Sequence, residues 1–381
     1  MSNIPKLRFP EFKGEWEEKK LGECLTLLYG KDWKDKSSTK KLYPVLGTGG
    51  VISYIDEFIY DKPCVLIGRK GSINNPVFID KPFWTVDTQF YSKIHEGYSP
   101  KFLYYIFCTE NWSKHDESTG VPSLSAKNVE NTHKHIPSYS EQQKIADFLS
   151  NVDSIITAET KILNTLQKKK KALMQKLFTR QLRFKSADGT DFPAWEESTL
   201  EKECDYVDYR GKTPKKVSTG IFLVTAKNIK LGYIDYECSK EYIAENDYNE
   251  VMHRGKVKLG DVLITTEAPC GNVAQIDNEN VALAQRVIKY SSKGRLNNTF
   301  LKYYFLSDLF RTIINEKATG STVKGIKGSV LHKQKVIVPS LEEQQKIADC
   351  LSSLDSLIQT QQKVVTTWQQ RKKALLQQMF I

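Results

Sequence analysis

The sequence of 381 residues lacks the short motifs that identify most enzymes and metal-binding proteins. It contains no Gly-x-Ser-x-Gly and no His-Glu-x-x-His. The run Gly211-Lys212-Thr213 resembles the end of a phosphate-binding loop, but Tyr206 stands where that loop requires glycine. The spacing His133-x-His135 offers two possible metal ligands without a third, so a solvated pair of histidines is the alternative. Nothing here points to catalysis or to a bound metal.

Disulfide-forming, secretory and membrane-spanning patterns are missing as well. The seven cysteines are scattered, odd in number and without Cys-x-x-Cys spacing, which suits a reducing compartment and gives no zinc site. No apolar run is long enough to cross a bilayer, and the first residues contain no apolar signal region. We therefore expect a cytoplasmic protein.

Positive charge is what the sequence has in excess. Lysine and arginine number 56 against 45 acidic residues, which gives a net charge of +11 and a pI near 9.0. This balance favours a polyanionic partner, nucleic acid before membrane. With 40% hydrophobic residues, a chain of this length predicts two or three folded domains.

One long segment occurs twice. Residues 141–178 and 343–380 align without a gap and are identical at 21 of 38 positions, and Pro-Ser precedes both copies. Apolar residues at alternating steps of four and three predict a coiled-coil helix about 57 Å long in each copy. An ordinary amphipathic core helix is the alternative, which the length, register and repetition oppose. The predicted helix-pairing residues are Ile145, Leu149, Val152, Ile156, Leu163, Leu166, Leu173 and Leu177 in the first copy, and Ile347, Leu351, Leu354, Ile358, Val365, Trp368, Leu375 and Met379 in the second.

Polar residues interrupt this apolar seam at matching places in both copies. Such residues cost stability but fix register and partner choice. A Ser-x-x-Glu capping pattern begins each helix, from Ser138 to Glu141 and from Ser340 to Glu343. The interrupting residues are Glu159 and Lys170 in the first copy, and Gln361 and Lys372 in the second.

A globular part precedes each long helix. Short apolar runs such as Cys64–Ile67 and Asp261–Ile264, separated by Gly, Pro, Asn and Asp, predict β-strands in both. A helix is predicted near 100–112 and another near 299–314. The predicted boundaries are 1–137 for the first domain, 138–180 for the first long helix, 181–338 for the second domain and 339–381 for the second long helix.

Glycine-containing, turn-like stretches of both domains concentrate basic and polar residues. Glycine lets the backbone approach a ligand, Arg and Lys contact phosphate or guanine, and Asn reads adenine. For each residue the alternative is a solvated loop position in a basic protein. The candidate DNA-contacting residues are Lys31, Lys34, Arg69, Lys70, Ser72, Lys114, Thr119, Gly120, Ser123 and Lys127 in the first domain, and Arg210, Lys212, Thr213, Lys215, Lys227, Asn228, Arg286, Thr319, Gly320, Ser321, Thr322, Lys324 and Lys327 in the second.

Together these features resemble the specificity subunit of a type I restriction–modification system. The resemblance covers the whole chain, and its most specific mark is the twin Glu-Gln-Gln-Lys-Ile-Ala-Asp sequence at Glu141 and Glu343. Looser marks lie in the domains. These are Cys64–Arg69, Gly260–Ile264, Trp84–Thr88, Thr119-Gly120 and Thr319-Gly320.

The resemblance implies an α+β fold in which two mixed α/β target recognition domains are separated by two long antiparallel coiled-coil helices, with a pseudo-twofold internal repeat. Each domain would read one half of an asymmetric, bipartite double-stranded DNA target. The paired helices would set the spacer and dock two methyltransferase subunits, which restriction subunits join.

By the same resemblance the chain is non-catalytic and binds no cofactor or metal. S-adenosylmethionine, ATP and Mg would be used by the partner subunits for adenine methylation and ATP-dependent cleavage. The methyltransferase would flip its target base out of DNA that this chain positions.

Two other functions are compatible with the residues. A coiled-coil adaptor without nucleic-acid specificity is one, and it predicts that neutralising the basic loops leaves activity intact. An enzyme that acts alone on DNA is the other, and it predicts methylation or cleavage by the purified chain.

Overall fold

The computed structural model describes residues 3–209, 211, 213–320 and 322–381. These form two compact units. The first comprises the chain up to Lys161 together with Gln362–Ile381, and the second comprises Ile162–Gln361. Each unit therefore contains one globular domain and parts of both long helices.

The first domain is built of short strands and helices that lead into the first long helix. They are β1 (Glu17–Lys20), α1 (Leu21–Cys24), β2 (Leu25–Tyr29), β3 (Tyr43–Gly47), β4 (Gly50–Ile55), β5 (Cys64–Gly68), β6 (Val77–Ile79), β7 (Trp84–Thr85), β8 (Gln89–Ile94), α2 (Pro100–Thr109), α3 (Ala126–Glu130), β9 (His133–Ile136) and the long helix α4 (Tyr139–Phe178).

The second domain repeats this order, with two added helices (α6 and α8), before the second long helix. Its elements are β10 (Glu196–Thr199), α5 (Leu200–Glu203), β11 (Cys204–Asp208), β12 (Ile221–Val224), β13 (Tyr242–Ile243), α6 (Tyr248–Val251), β14 (Val262–Thr266), β15 (Cys270–Gln275), β16 (Val281–Leu283), β17 (Val287–Ser292), α7 (Asn298–Leu306), α8 (Asp308–Lys317), α9 (Gly328–His332), β18 (Lys335–Val338) and the long helix α10 (Leu341–Met379).

The two domains share one sheet topology although their sequences have diverged. A four-stranded antiparallel sheet has the order β2-β8-β5-β6 in the first and β11-β17-β14-β15 in the second. A three-stranded sheet has the order β4-β3-β7 and β13-β12-β16, with one parallel pair in each. Strands β5 and β14 are buried along their whole length, which explains their unbroken runs of mostly apolar residues. The chain is thus an α+β internal repeat, as predicted.

The long helices pack antiparallel, and this packing lies within one chain. In the first unit Ile145 and Leu149 of α4 share a core cluster with Leu375 and Met379 of α10. In the second unit Leu177 of α4 lies with Ile347 and Leu351 of α10 in the corresponding cluster. All sixteen predicted helix-pairing residues are buried or half-buried.

The lysines that interrupt the seam form ion pairs with the opposite helix. Lys372 Nζ lies 2.6 Å from the Asp153 carboxylate, which also accepts a hydrogen bond from Tyr105 of α2 at 2.8 Å. Burial raises the pKa of Tyr105, so its hydroxyl stays protonated and remains a donor. Each set joins one domain helix to both long helices. The second unit contains the same set in Lys170, Asp355 and Tyr303.

The repeated Glu-Gln pair in the first turn of each long helix is buried, and its side chains are hydrogen-bonded. Glu343 accepts hydrogen bonds from Arg183 at 2.7 Å and Trp195 at 2.8 Å, and Glu141 accepts from Arg8 and Trp16 in the same way. These bonds raise the pKa of Arg183, because its guanidinium is held as a cation beside the carboxylate. The glutamates therefore bind the segment before each domain. Of the predicted capping pattern, the hydroxyl of Ser340 accepts from the Glu343 amide at 3.3 Å.

The glutamine after each glutamate is hydrogen-bonded to the N-terminus of the domain helix. Gln142 accepts from the Ser99 amide at 2.9 Å and donates to the Pro137 carbonyl at 3.0 Å. Gln344 likewise accepts from Asn297 and donates to Pro339. Ser99 and Asn297 are the N-cap residues of α2 and α7. The glutamine that binds each of them therefore aligns the domain helix with its long helix.

We expect Glu343→Gln to lower the free energy of unfolding by about 2–3 kcal/mol. The substitution leaves the Arg183 charge, 28% exposed, without its buried carboxylate. The neighbouring Glu342→Gln is the matched control, because its carboxylate is 56% exposed and pairs only at the surface with Lys346, which predicts a change below about 0.5 kcal/mol. Denaturant unfolding of the three chains tests this, and equal effects of the two substitutions would contradict it.

Candidate nucleic-acid interface

Three chain segments of the first unit meet at one end of its four-stranded sheet. After β5, the amides of Arg69 and Lys70 donate to the Thr88 carbonyl at 2.8 and 3.1 Å. The Leu124 amide in turn donates to the Arg69 carbonyl at 2.9 Å. These backbone hydrogen bonds hold the three segments side by side. We call residues 69–72, 86–88 and 116–124 the first tip.

The second unit has a corresponding tip with corresponding backbone hydrogen bonds. The Thr266 amide donates to the Arg286 carbonyl at 2.9 Å, and the Ile326 amide donates to the Thr266 carbonyl at 2.9 Å. Glu267 and Gly325 form a single β-bridge, as Lys70 and Ser123 do in the first unit. We call residues 266–269, 284–286, 318–320 and 322–326 the second tip.

The two tips use the same backbone frame to present different charges. Hydrogen bonding places Arg69 and Lys70 where the second unit has Thr266 and Glu267. Arg286 of the second tip comes from the facing segment and pairs with Glu267 at 2.9 Å. Equivalent positions thus carry a basic residue in one tip and an acidic residue in the other.

A fourth segment, the loop that follows β2 or β11, joins each tip. In the first unit the Lys31 amide donates to the Thr85 carbonyl at 2.9 Å, and Gly30 lies so close to this strand that a Cβ atom would stand 2.1 Å from the Val86 carbonyl oxygen. In the second unit Gln285 donates to the hydroxyl of Thr213 at 2.9 Å. Glycine permits the close approach that brings the Lys31 loop to the tip.

The Thr-Gly loops are held in defined shapes. Asp116 accepts hydrogen bonds from the amides of Ser123 and Ser118 at 2.9 and 3.0 Å, and these bonds, led by the one from Ser123, lower the pKa of its carboxyl. In the second tip Thr319 and Gly325 exchange two backbone hydrogen bonds of 2.9 Å. Gly320 has φ +115°, and a Cβ atom there would lie 2.2 Å from the Val323 carbonyl oxygen, so this turn requires glycine.

Arg69 is positioned by two contacts. Its guanidinium donates to the Asp87 carbonyl at 3.0 Å and lies over the ring of Tyr29, 5.5 Å from the centroid. The side chain is half-buried, so part of it is exposed at the tip. A cation fixed in this way loses less conformational entropy when it binds phosphate or guanine.

Many predicted contact residues of the first domain come together at its tip. The structure places Arg69, Lys70, Ser72, Thr119, Gly120 and Ser123 there, with Lys31 and Lys34 on the adjoining loop. Lys114, in the short 3-10 turn Trp112–His115, and Lys127, on α3, lie on either side of the Thr-Gly loop along the chain, and both are exposed.

The second domain divides its predicted residues between the tip and other places. At the tip or beside it lie Thr213, Lys215, Arg286, Thr319, Gly320, Thr322, Lys324 and Lys327, whereas Arg210, Lys212 and Ser321 lie outside the described residues. Lys227 is exposed in a separate loop. Asn228 is completely buried, accepts from Thr225, and donates to the carbonyls of Asp235 and Ser239. Its amide shapes that loop, so we leave Asn228 out of the interface.

Sequence reasoning missed Asp87, Gln285 and Arg254. Asp87 and Gln285 lie two residues before β8 and β17, and both lie in the tips. Gln285 is adjacent to Arg286, a predicted residue, and this adjacency was the sequence signal that could have identified it. Arg254 is brought to Asp208 from α6 and its following turn, and its guanidinium donates to the Asp208 carbonyl at 2.8 Å. No local pattern connects these distant segments.

Two further properties bear on the kind of site. In the described part of the chain, no group of three or more His, Cys, Asp or Glu side chains is arranged to hold a metal ion. The helices found among these residues are too short or too polar to cross a membrane.

The family model for the type I restriction modification DNA specificity domain matches residues 13–168 and again residues 194–367. The chain belongs to this family. It is a specificity subunit with two recognition domains, and the two matches coincide with the two domains and the long helices that follow them.

Relatives and solved structures agree with the family. The type I restriction enzyme MjaVIII specificity subunit of Methanocaldococcus jannaschii is 26% identical over 97% of this chain and 92% of that protein. The crystal structure of a type I restriction–modification S subunit from M. genitalium matches with a TM-score of 0.66 at 16% identity, covering 99% of both chains. A chain from a structural study of complex assembly and conformational transition in the type I R-M system matches with a TM-score of 0.53 at 18% identity, covering 95% of this chain and 96% of that one. At these identities the structures support the fold, which is the one predicted.

Proposed function

We propose that this chain is the DNA-recognition subunit of a type I restriction–modification complex and that each tip reads one half of a bipartite target. The observation that carries the proposal is that the two tips share one pattern of backbone hydrogen bonds but carry different charges at equivalent positions. Identical frames suit the same task, and different side chains suit two unlike half-sites. Basic residues at the first tip supply the phosphate contacts that dominate DNA affinity.

The long helices would act as the spacer. Each domain helix is fixed to both long helices by a tyrosine–aspartate–lysine set, so each domain holds a defined position along the pair. A stiff connection fixes the separation of half-sites, as symmetry does in dimeric readers.

The same helices offer an apolar surface to a partner. Ile155 and Ile162 are seven residues apart on α4, and Leu357 and Val364 hold the corresponding positions on α10. Ile162 is 47% exposed and Leu357 is 54% exposed. Exposed apolar side chains outside the seam suit contact with a partner, and we propose that two methyltransferase subunits dock on these helices.

Catalysis would reside in those partners. We propose that this chain is non-catalytic and binds no cofactor, that methyltransferase subunits use S-adenosylmethionine, and that restriction subunits use ATP and Mg. We propose that the whole complex acts in the cytoplasm, since the scattered cysteines of this chain suit a reducing compartment.

The test is modified-base sequencing of DNA from cells that express this chain with its methyltransferase partner. We expect a methylated motif with two unlike halves and a fixed gap. Methylation by the purified chain alone would instead favour an enzyme. If the assembled complex creates no new motif, the adaptor function replaces this one.

A further inference from the structure

The residue two positions before β8 occupies the same place in its tip as the residue two positions before β17. Asp87 precedes Thr88, whose carbonyl accepts the Arg69 amide, and Gln285 precedes Arg286, whose carbonyl accepts the Thr266 amide. Strands β8 and β17 then pair with β5 and β14 in the same register. Asp87 is exposed and Gln285 is half-buried. The two domains thus carry an acid and an amide at one structural position.

We propose that this position is a specificity determinant, with Gln285 reading adenine in one half-site and Asp87 reading cytosine in the other. The proposal rests on the function proposed above and deepens it. A glutamine amide has one donor and one acceptor edge, which match adenine N7 and N6 in the major groove. An ionised aspartate accepts only, which matches the N4 amino group of cytosine.

Gln285 lies in a setting suited to this task. It forms part of the wall of a recess of about 220 Å³ that Tyr209, Thr213, Lys215 and Arg254 also line. Its Nε2 donates to the Thr213 hydroxyl at 2.9 Å, which orients the amide. Arg254 is anchored on the Asp208 carbonyl at 2.8 Å. The recess therefore combines an oriented amide with two cations, which can contact the DNA backbone, and with the carboxylates of Asp247 and Glu250.

Asp87 has a different neighbour that fits its proposed base. The Arg69 guanidinium donates to the Asp87 backbone carbonyl at 3.0 Å, so a cation and a carboxylate project from adjacent places in the first tip. Arginine pairs with guanine O6 and N7, and aspartate accepts from the N4 of the paired cytosine. The first half-site is then expected to contain a G·C pair at this position, and the second an A·T pair.

The experiment compares modified-base sequencing of cells that express the whole complex with the original chain, Gln285→Glu or Asp87→Asn. We expect Gln285→Glu to shift one position of one half-site from adenine toward cytosine, because a carboxylate accepts from N4. Asp87→Asn should change one position of the other half-site. Discrimination at each position should change about ten- to a hundredfold. Asn280→Asp, an exposed amide-to-acid change in the loop before β16, is the control and should leave the motif unchanged.

The outcomes separate this proposal from the function on which it rests. A bipartite motif with the original chain, left identical by both substitutions, overturns the assignment of Asp87 and Gln285 alone. No motif with the original chain overturns the proposed function. Where a variant abolishes methylation, its unfolding transition and its binding to a randomised DNA library are measured in the purified complex. Uniformly weakened binding to all sequences by a folded variant overturns base reading, and a changed sequence preference supports it.

Discussion

Lengthening both long helices by seven residues should widen the gap in the methylated motif by about three base pairs. The insertions lie between Asp153 and Lys170 in α4 and between Asp355 and Lys372 in α10. Seven residues add about 10.5 Å and almost two full turns, so the apolar seam keeps its face. Both lysine–aspartate pairs stay in register, because each lies at one end of the lengthened region. About 10.5 Å along B-DNA corresponds to three steps of 3.4 Å.

The control is the same insertion in α4 alone. It moves Lys170 by two turns relative to Asp355 if the Lys372–Asp153 pair is kept, so the two pairs cannot form together. We expect loss of methylation or of stability from this chain. A motif with the original gap, produced by a complex that carries the double insertion, would refute the role of the helices as a spacer.

Replacing Lys31, Arg69 and Lys70 together by alanine should weaken DNA binding by at least about a hundredfold at physiological salt. Each cation that contacts a phosphate releases about one counterion, so the slope of log K against log salt should also fall by about 2 to 3. Lys31 and Lys70 are exposed, and Arg69 is partly so, which limits the effect on folding. Binding of the purified complex to its own motif at several salt concentrations measures both quantities.

A matched control lies at the other end of the same sheet. Lys62, Lys81 and Lys93 are exposed. The pairing of Cys64 with Ile79 and of Leu25 with Ile94 places them away from the first tip. Their replacement removes the same net charge but should reduce affinity by less than about tenfold. Equal losses from both triple variants would mean that overall charge, and not the tip, controls binding.

The helical repeat was predictable because its signal is local and periodic. The seam, its interruptions and the limits of both long helices follow from spacing within one segment. The partners of the interruptions were not predictable, because Asp153 and Asp355 lie on the opposite helix from the lysines with which they pair. The sheet topology that the two domains share was not predictable for a related reason. The domains share buried strands and backbone hydrogen bonds, which different residues can satisfy.

The interface was only partly predictable from composition. Basic loop residues such as Lys70 were found by chemistry, but Asp87 and Gln285 become candidates only when two distant segments are seen to meet. Asn228 shows the opposite case, a residue that was predicted at the interface but is buried. Its sequence context matched a polar loop, whereas its side chain is enclosed by the loop that it shapes. Burial of a single amide is decided by tertiary packing, which local sequence does not report.

The core of the first unit is completed by residues that follow the second unit in the chain. Phe380 stacks on Phe102 with ring centroids 5.4 Å apart, Met379 is buried, and the Leu7 amide donates to the Gln378 carbonyl at 2.9 Å. The second unit ends at Gln361. The first unit is therefore completed by residues that are synthesised after the second unit, and a nascent chain can close its second domain while its first still exposes apolar surface. Translational pausing or chaperone capture at that stage would act on the first domain alone.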